Sequence, residues 1–369
     1  MFNFNFKYPI GIDIGAQHIY AAQLKHIRQG FAVRGLMHQE LDDGAGDVPD
    51  RSDVLVPLLK NIVKSKRFVG KRVVLHIPHQ NIVSFPMRFQ VGKSETSEEV
   101  ILRESKEYLP FPMEEAVIDY PSIVSPSSDS NNWHKVTIIA VRRDDIKQYL
   151  LILKKVGLIV EAVDFDISSL IRLHNYLYNP THNPILLLHI GYTQTLLSIV
   201  SRECILAYRY IPWGIEILVR KLLANLGLAN NENKAEILLR KYGLAHKNHQ
   251  NRNKSANLTE DIEINDISRA IYQTIMPLIE ELIHEFHKII AYIRSEKQNV
   301  VFKSIYISGQ ASLIRHLDKY IENQLNIPTK LIDPVNKMTL LDSAMLPDIS
   351  EGATFALALG LAMKKVSWL

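Results

Sequence analysis

The chain has 369 residues, and a prior of about 150 residues per domain predicts two or three compact units. Hydrophobic residues make up 47% and charged residues 22%, which excludes a mainly disordered chain, a collagen-like fibre and a disulfide scaffold. The 43 Lys and Arg residues outnumber the 39 Asp and Glu residues by a net charge of only +4. So small a surplus gives no reason to expect nucleic-acid binding.

The cysteine count and the apolar segments predict a cytoplasmic protein. Cys204 is the single cysteine, as expected for a reducing compartment. The two richest apolar stretches, Ile185–Val200 and Tyr149–Val163, are interrupted by polar residues and fall short of a membrane span. Met1–Pro9 lacks the apolar core and the cleavage site of a signal peptide.

The main organising feature is a repeated glycine-turn hairpin. Pro9–Gly15 and Pro184–Gly191 are apolar strands that end in glycine, and after three residues each is followed by a second apolar strand. The glycine predicts a tight turn that pairs the second strand with the first. Because the turns lie about half the chain apart, the repeat predicts two related lobes that face each other across a cleft.

Between the hairpins, the pattern predicts a small α+β unit inserted into the first lobe. Thr96 and Glu99 form a capping box that begins a helix, and Pro110–Pro112 ends it. A second helix is predicted over Asp144–Val156, capped by its first residue and followed by Gly157. The remaining predicted elements are strands at Val73–Pro78, Ile82–Phe89, Ala116–Val124, Lys135–Arg142 and Leu158–Phe165, with a polar loop at Ser125–Trp133.

The second half of the chain is predicted to be mainly helical before it returns to strands. A segment rich in Asn, Lys, His and Gln, His246–Asn257, is predicted to be a surface loop. Helices are predicted at Trp213–Leu226, Lys234–Tyr242, Asp266–Ser295, Leu313–Leu325 and Gly352–Lys365, and strands at Ser304–Ser308 and Pro328–Ile332.

Six segments in this order resemble the PilM family, the actin-like proteins of type IV pilus assembly that are related to the division protein FtsA. The likeness spans nearly the whole chain. The segments that carry it are Gly11–Gly15, Glu98–Pro112, Val156–Asp164, Tyr210–Gly214, Ile307–Gly309 and Ala356–Ala362.

The resemblance implies an α/β, actin-like (ribonuclease H-like) two-lobed ATPase fold with an inserted α+β subdomain, as in FtsA. The units it implies are a first-lobe core (1–72, completed by 161–182), the inserted subdomain (73–160), a second-lobe core (183–214, completed by 302–369) and a helical subdomain of the second lobe (215–301).

The resemblance also implies an interlobe cleft for ATP and Mg²⁺. In such a cleft, glycine turns wrap phosphates with backbone N–H groups, and aspartates at the strand ends hold magnesium or its waters. The implied metal residue is Asp13. The implied nucleotide-binding residues are Asp13, Gly15, Gln17, His18, Gly191, Thr193, Thr195, Gly214, Glu216, Ser308, Gly309 and Gln310.

Two departures from the family pattern predict a degenerate cleft. His189 stands where the family has aspartate, and a neutral imidazole is a poor magnesium ligand. Ser308–Ala311 has one glycine where relatives carry two or three, so Gln310 would occupy space otherwise left for the base or ribose. The sequence leaves binding of ATP and Mg²⁺ open, and with no carboxylate evidently placed to activate water it predicts no hydrolysis.

The function that the resemblance implies is that of an adaptor in type IV pilus assembly. Such a protein binds the N-terminal tail of a PilN-like inner-membrane protein in a groove beside the inserted unit, and it links the membrane platform to the cytoplasmic motor ATPases. It would lie at the inner membrane through this partner. We interpret Tyr108, Pro110, Phe111 and Pro112 as lining of that groove.

The segment Lys60–Arg72 carries six cations and no acidic residue. The default interpretation is a solvated helix face. The alternative is contact with anionic lipid headgroups, which a membrane-anchored partner would bring close.

Other functions stay open at this point. One is an active ATPase or small-molecule kinase of the same superfamily. Another is a PilM-like component of a type II secretion or mannose-sensitive pilus platform. A third, an FtsA-like filament protein, is disfavoured because only Val366–Leu369 follow Lys365, whereas FtsA relatives carry a membrane-binding helix there.

Overall fold

The computed structural model describes residues 8–41, 52–120, 123–124, 133–202, 204–228, 231–244, 258–296, 300–341 and 349–365. The predicted loop His246–Asn257 lies outside these ranges, as does Ser125–Trp133 apart from its last residue. None of the described helices is long and apolar enough to cross a membrane.

The described residues form strands and helices that we number in chain order. The strands are β1 (Ile10–Ile14), β2 (His18–Ile27), β3 (Gly30–Glu40), β4 (Arg72–His76), β5 (Ile82–Gln90), β6 (Ala116–Asp119), β7 (Ile123–Val124), β8 (Trp133–Arg142), β9 (Ile159–Asp164), β10 (Ile185–Ile190), β11 (Thr195–Ser201), β12 (Cys204–Ile211), β13 (Ile305–Ser308), β14 (Thr329–Leu331) and β15 (Thr339–Leu340). The α-helices are α1 (Ser52–Lys64), α2 (Ser97–Ser105), α3 (Arg143–Lys155), α4 (Asp166–Leu177), α5 (Ile215–Leu226), α6 (Glu232–Lys241), α7 (Leu258–Glu296), α8 (Leu317–Leu325), α9 (Pro334–Lys337) and α10 (Ala356–Ala362).

Two sheets repeat one topology. The first has the order β15–β3–β2–β1–β4–β9, and the second has the order β12–β11–β10–β13–β14. In both, the first hairpin strand pairs antiparallel with the second and parallel with a later strand. Asp13 pairs with Tyr20, and His189 pairs with Leu196. The hairpins therefore have equivalent registers, which confirms the predicted repeat and the two-lobed fold.

The inserted unit has a sheet and a core of its own. β5, β8 and β6 lie side by side, and β7 also pairs with β8. A separate apolar cluster joins this sheet to α2 and consists of Met87, Phe89, Val100, Ile101, Val136 and Ile138. Two elements of the predicted unit 73–160 lie elsewhere, because β4 is inside the first sheet and α3 packs on α1. The division into units stays a prediction.

Two helix starts inside this region test the capping predictions. The capping box is confirmed, since the Glu99 N–H donates to the Thr96 hydroxyl over 3.2 Å and the Glu99 carboxylate accepts from the Thr96 N–H. The prediction that Asp144 caps the next helix is wrong, because α3 already begins at Arg143. Asp144 lies in the first turn instead, where a carboxylate is stabilised by the helix dipole.

Two helices near the C-terminus are shorter than predicted. The helix predicted from Leu313 begins at Leu317, because His316 just before it adopts a left-handed backbone with φ of 64°. The helix predicted over 352–365 is confined to α10, since Ile349–Phe355 forms a 3-10 helix. β15 and α10 belong to the segment 302–369, yet they contact the first sheet. This part of the chain therefore joins the two lobes.

Two glycines allow α10 to approach its neighbours at backbone distance. A Cβ on Gly11 in β1 would lie 2.0 Å from the carbonyl oxygen of Ala358, and a Cβ on Gly360 would lie 2.2 Å from the carbonyl oxygen of Ser169 in α4. Side-chain carbons do not tolerate such distances, so only glycine fits here. Two of the sequence segments that carry the family resemblance thus meet in one contact.

This contact predicts the effect of adding a single methyl group. We expect Gly11→Ala to lower the free energy of unfolding by about 2–3 kcal/mol, because α10 must move away from β1. Gly92→Ala is the control, since its Cβ would meet only the flexible carboxylate of Glu95 at 3.0 Å. Urea denaturation measures both variants, and equal midpoints for the two would contradict the packing described here.

Candidate functional site

The two hairpin turns meet in a cleft between the lobes, and each turn is closed by its own glycine. The Gly15 N–H donates to the His18 carbonyl oxygen over 2.9 Å, and the Gly191 N–H donates to the Gln194 carbonyl oxygen over 2.9 Å. These two N–H groups are therefore hydrogen-bonded within the turns. They are not available to a phosphate, although the sequence pattern assigned Gly15 and Gly191 to nucleotide binding.

The cleft encloses a cavity of about 160 Å³, which is below the roughly 300–1,000 Å³ of pockets for drug-sized ligands. The lining includes Asp13, His18, His76, His79, Asp166, His189, Tyr192, Thr193, Tyr210, Gly309, Gln310, Thr354 and Leu357.

Two cross-strand pairs occupy equivalent positions at the base of the cleft. In the first lobe, Asp13 Oδ1 lies 2.9 Å from His76 Nε2, across β1 and β4. In the second lobe, His189 Nδ1 lies 3.1 Å from Ser308 Oγ, across β10 and β13. The parallel registers of β1–β4 and β10–β13 place these pairs at matching points of the repeat. Each pair therefore includes one histidine, which lies on β4 in the first lobe and on β10 in the second.

Burial and hydrogen bonding set the protonation of these histidines. Burial would lower the pKa of His76, but the hydrogen bond and the charge of Asp13 outweigh burial and raise that pKa. Burial lowers the pKa of His189. At neutral pH His189 is therefore a neutral imidazole bonded to Ser308, and it supplies no negative charge to the cleft.

A tyrosine of the second lobe crosses the cleft to an aspartate at the start of α4. The Tyr210 hydroxyl donates to both oxygens of Asp166, over 2.7 and 2.9 Å. The Tyr210 ring also stacks on His79, with ring centroids 4.3 Å apart. A second bridge runs from Gln17 Nε2 to Glu232 Oε2 over 2.8 Å. Side chains thus join the lobes across the space where the family resemblance implies a nucleotide.

The structure brings seven of the residues assigned to nucleotide binding into the cleft lining. They are Asp13, Gly15, His18, Gly191, Thr193, Gly309 and Gln310. Burial, with the nearby His38 and Arg240, lowers the pKa of His18 to about 4. Within the described part of the chain, neither ring nitrogen of His18 has a hydrogen-bond partner.

The other five assigned residues lie outside the lining: Gln17, Thr195, Gly214, Glu216 and Ser308. Thr195 is buried and its hydroxyl donates to the Trp213 carbonyl oxygen over 2.7 Å. Gly214 precedes α5, where a Cβ would lie 2.1 Å from the Tyr192 carbonyl oxygen. Glu216 forms an ion pair with Arg220 on the outside of α5.

The third glycine turn is constrained by backbone contacts. Gly309 has a φ of +88°, and a Cβ there would lie 2.5 Å from the Ile190 carbonyl oxygen. Its N–H donates to the Ala353 carbonyl oxygen over 3.1 Å. Gly309 is therefore needed for the close approach of β10 and β13, independently of any ligand.

The residues of the cleft do not fit the magnesium ion that the resemblance implies. Asp13 is already hydrogen-bonded to His76, and a neutral His189 stands where the resemblance implies a second carboxylate. Across the described ranges, no group of three or more His, Cys, Asp or Glu residues could hold a metal ion. An oxygen of Asp13 is used in the hydrogen bond with His76. A magnesium site would need free oxygen ligands instead.

Sequence reasoning missed three residues that shape the cleft: His76, Asp166 and Tyr210. The pairing of His76 with Asp13 depends on which strand lies parallel to β1. Tyr210 was noted only as the start of a family segment. The alternation of side chains along β12 could have directed Tyr210 to one face, but only the meeting of the lobes reveals Asp166 as its acceptor.

A second cavity, of about 430 Å³, lies between the four-stranded sheet and the first lobe. Its walls include Val117 and Asp119 from β6, and Val163 and Asp164 from β9. β6 and β9 are the outer strands of their sheets. As far as the structure describes the chain, neither has a partner strand on its outer side, so each keeps an edge of free backbone N–H and C=O groups. We call this cavity the β6–β9 groove.

At the base of the β6–β9 groove, two basic side chains surround one carboxylate. Asp164 Oδ2 accepts from Arg172 over 2.8 Å, and Asp164 Oδ1 accepts from Lys364 over 3.2 Å. Burial would raise the pKa of Asp164, but the two cations outweigh burial and hold that pKa below its usual value. Two cations around one carboxylate leave one positive charge, which favours hydrogen-bond acceptors in the groove.

None of the four residues interpreted as lining of the partner groove is among the residues that line the β6–β9 groove, and their assignment to a partner site stays a prediction. Tyr108 stacks on Phe85 with centroids 4.8 Å apart and is 54% exposed. Phe111 lies under the Arg142 guanidinium, 5.3 Å from it. Arg142 pairs with Ala116, the first residue of β6. Phe111 thus lies near one end of β6, and neither Pro110 nor Pro112 is among the lining residues.

Comparisons with known proteins agree with this architecture. A family model for the type IV pilus assembly protein PilM matches residues 11–366. A solved chain of the PilM-PilN type IV pilus biogenesis complex is 20% identical, with a TM-score of 0.75, over 96% of this chain and 98% of its own. The ethanolamine utilization protein EutJ from Carboxydothermus hydrogenoformans is 11% identical, with a TM-score of 0.52, over 96% of this chain and 89% of its own. These two likenesses show a shared fold.

A carboxylate at position 189, where the family resemblance implies one, is expected to make the stability of the protein respond to magnesium. We expect His189→Asp to lower the free energy of unfolding by about 2–4 kcal/mol without metal, because it buries a second carboxylate near Asp13. Mg²⁺ is expected to recover part of this loss, since two carboxylates can share a hard cation. Denaturant unfolding with and without Mg²⁺ measures both effects.

The control is His189→Asn, which changes the same position without adding charge and should not respond to Mg²⁺. The native chain should likewise unfold at the same midpoint in both buffers. Stabilisation of the native chain by Mg²⁺ would contradict the conclusion that the cleft does not fit a divalent cation.

Proposed function

This chain belongs to the PilM family of type IV pilus assembly proteins, and we propose that it is an adaptor that holds the tail of a PilN-like inner-membrane protein in the β6–β9 groove. One observation carries the proposal. The groove lies between two strand edges with free backbone groups, and an extended peptide can add to such an edge as a further strand. The likeness to a PilM-PilN complex supports a partner of this kind.

The groove has both features that bind an extended peptide: free backbone groups on a strand edge and pockets for side chains. Main-chain hydrogen bonds to β6 or β9 would give affinity, and pockets for alternate side chains would give specificity. β6 has four residues, which correspond to about 13 Å of extended peptide. The wall is largely apolar, with Ile77, Ile82, Val117, Ile139, Val141, Ile146, Val163 and Phe165 among its residues.

The charge at the base of the groove would orient the tail. Arg172 and Lys364 exceed Asp164 by one positive charge, so a carbonyl or carboxylate of the tail is the favoured neighbour. Asp119 lies on the β6 wall and would favour a hydrogen-bond donor there. An apolar segment with an acceptor at one side therefore matches the groove best.

We propose further that the interlobe cleft is degenerate and that the adaptor role does not need a nucleotide. The hydrogen bonds from Tyr210 to Asp166 and from Gln17 to Glu232 already bridge the lobes. In an active nucleotide cleft such bridging would be supplied by the ligand. The pairing of Asp13 with His76 supports the same conclusion.

Two parts of the proposal rest on family membership alone. They are the contact with the pilus motor ATPases and the position at the cytoplasmic face of the inner membrane. The partner's membrane anchor would supply that position.

A substitution inside the groove tests the proposed peptide site. Val117 on β6 is 41% exposed, so we expect Val117→Trp to leave folding intact and to fill part of the groove. The affinity for the N-terminal tail peptide of the PilN-like protein should fall by roughly tenfold or more, because a filled groove cannot accept the peptide side chains. Isothermal titration calorimetry with the peptide measures this change.

The matched control is Val301→Trp, since Val301 is 70% exposed and far from the groove lining. It should bind the tail as the native chain does. Equal losses in both variants, or no peptide binding by the native chain, would contradict the groove assignment.

Nucleotide addition tests the degenerate cleft separately. We expect Mg-ATP to leave the tail affinity unchanged and to release no phosphate above the buffer rate, because Asp13 and His189 do not form a magnesium site. Phosphate release that is lost in Asp13→Ala would instead identify an active ATPase or kinase.

A further inference from the structure

The ends of α1 and α3 meet at one end of the first sheet, beside the first residues of β4 and β9. α1 packs against α3, and each helix is followed by a short turn into β4 or β9, which pair in parallel. The two helices therefore end side by side. Four exposed lysines lie there, together with two exposed aliphatic side chains, and we call this surface the basic–apolar face: Lys64, Lys71, Leu151, Lys154, Lys155 and Ile159.

Backbone contacts hold these residues together. The Ile159 N–H donates to the Lys71 carbonyl oxygen over 2.8 Å, and the Gly157 N–H donates to the Lys154 carbonyl oxygen over 3.0 Å. A Cβ on Gly157 would lie 3.9 Å from Lys71 Nζ. The lysines that follow α1 and those that end α3 are thus parts of one surface, although they lie far apart in the sequence.

The charge of this surface is strongly one-sided. The sequence has no Asp or Glu between Lys60 and Arg72, and none between Ile146 and Val160. Glu161 on β9 is engaged by Arg72 over 2.7 Å, so this pair adds no net charge. No acidic residue therefore lies in the last turns of α1 or α3 or in the first part of β9, and the acidic residues of the two helices, Asp53, Asp144 and Asp145, lie in their first turns at the opposite end.

The two aliphatic side chains distinguish this face from an ordinary solvated basic surface. Leu151 is 58% exposed and Ile159 is 59% exposed, among lysines whose long stems can lie along apolar surface with the ammonium group in water. Apolar side chains set among lysines are typical of surfaces that lie at the boundary of lipid headgroups and acyl chains. A surface that bound its partner through charge alone would not need exposed aliphatic side chains.

We propose that the basic–apolar face binds anionic lipid headgroups at a membrane surface, with Leu151 and Ile159 entering the headgroup region. The anionic surface of a membrane attracts clustered lysines, and burial of the two aliphatic side chains adds an attraction that salt does not screen. The sequence segment Lys60–Arg72 supplies only half of this face, and α3 and β9 supply the other half.

The position of the face agrees with a membrane-anchored partner in the β6–β9 groove. Ile146 of the groove lies on α3, nine residues before Lys155, or about 14 Å along the helix. Val163 of the groove lies on β9, four residues after Ile159, or about 13 Å along the strand. Both the face and the groove therefore lie on α3 and β9, about 13–14 Å apart, which is close enough for a membrane-anchored tail in the groove to keep the face near a bilayer. This geometric agreement rests on the proposed function, whereas lipid binding by the chain alone does not.

Vesicle co-sedimentation of the full chain without any partner tests the proposal. The probes are vesicles of phosphatidylcholine with phosphatidylglycerol and vesicles of phosphatidylcholine alone. We expect binding to the anionic vesicles only, strongest at low salt and weaker at about 0.15 M salt, and we expect the quadruple change of Lys64, Lys71, Lys154 and Lys155 to Gln to weaken the low-salt binding by roughly tenfold or more. Leu151→Gln with Ile159→Thr should keep the low-salt binding and reduce the part that survives at about 0.15 M salt, where screening is stronger.

A charge-matched control changes four exposed lysines of the second lobe, Lys221, Lys234, Lys319 and Lys330, to Gln. This control should bind vesicles as the native chain does. The proposal is overturned if the native chain does not bind anionic vesicles, if neutral vesicles bind equally, or if the control and the test variant lose binding alike. Failure of the tail peptide to bind would leave these outcomes unaffected, so the two proposals can fail separately.

Discussion

Residues around the close approach of α10 to β1 line the interlobe cleft and the β6–β9 groove. Gly11 lets the Ala358 carbonyl oxygen come within 2.0 Å of the point where a Cβ would lie. Around this contact, Thr354 and Leu357 reach the interlobe cleft, while Lys364 reaches the β6–β9 groove. A segment from the end of the chain thus closes one wall of each cavity. The contact requires glycine for a packing reason, independently of any metal or nucleotide in the cleft.

The cleft has the repeated strand arrangement of the fold. Its charged and neutral side chains differ from those that the family resemblance implies. Equivalent strand ends carry the pairs Asp13–His76 and His189–Ser308, with the histidine on β4 in the first lobe and on β10 in the second. His76 is hydrogen-bonded to Asp13, and His189 stands where the family resemblance implies a second carboxylate. Tyr210 bridges to Asp166 from the opposite lobe. Internal hydrogen bonds thereby engage side chains that line the cleft.

The sequence predicted what depends on local pattern and missed what depends on neighbours far along the chain. The glycine hairpins and the capping box of Thr96 were predicted because turn chemistry and spacing are local. His76 was missed as the partner of Asp13, because that pairing requires knowing which strand lies parallel to β1. Thr195 was assigned to phosphate, yet it faces the interior and binds the Trp213 carbonyl oxygen. The β6–β9 groove could not be predicted either, since only the strand order of both sheets reveals two outer edges beside one another.

Amide hydrogen exchange with and without the tail peptide of the PilN-like protein tests the central claim most directly. The account predicts slower exchange in β6 and β9 when the peptide binds, because a peptide added to a strand edge occupies backbone N–H groups there. The hairpin turns at Gly15 and Gly191 should exchange at unchanged rates. Protection of those turns, with β6 and β9 unaffected, would contradict the account and would place the partner in the interlobe cleft.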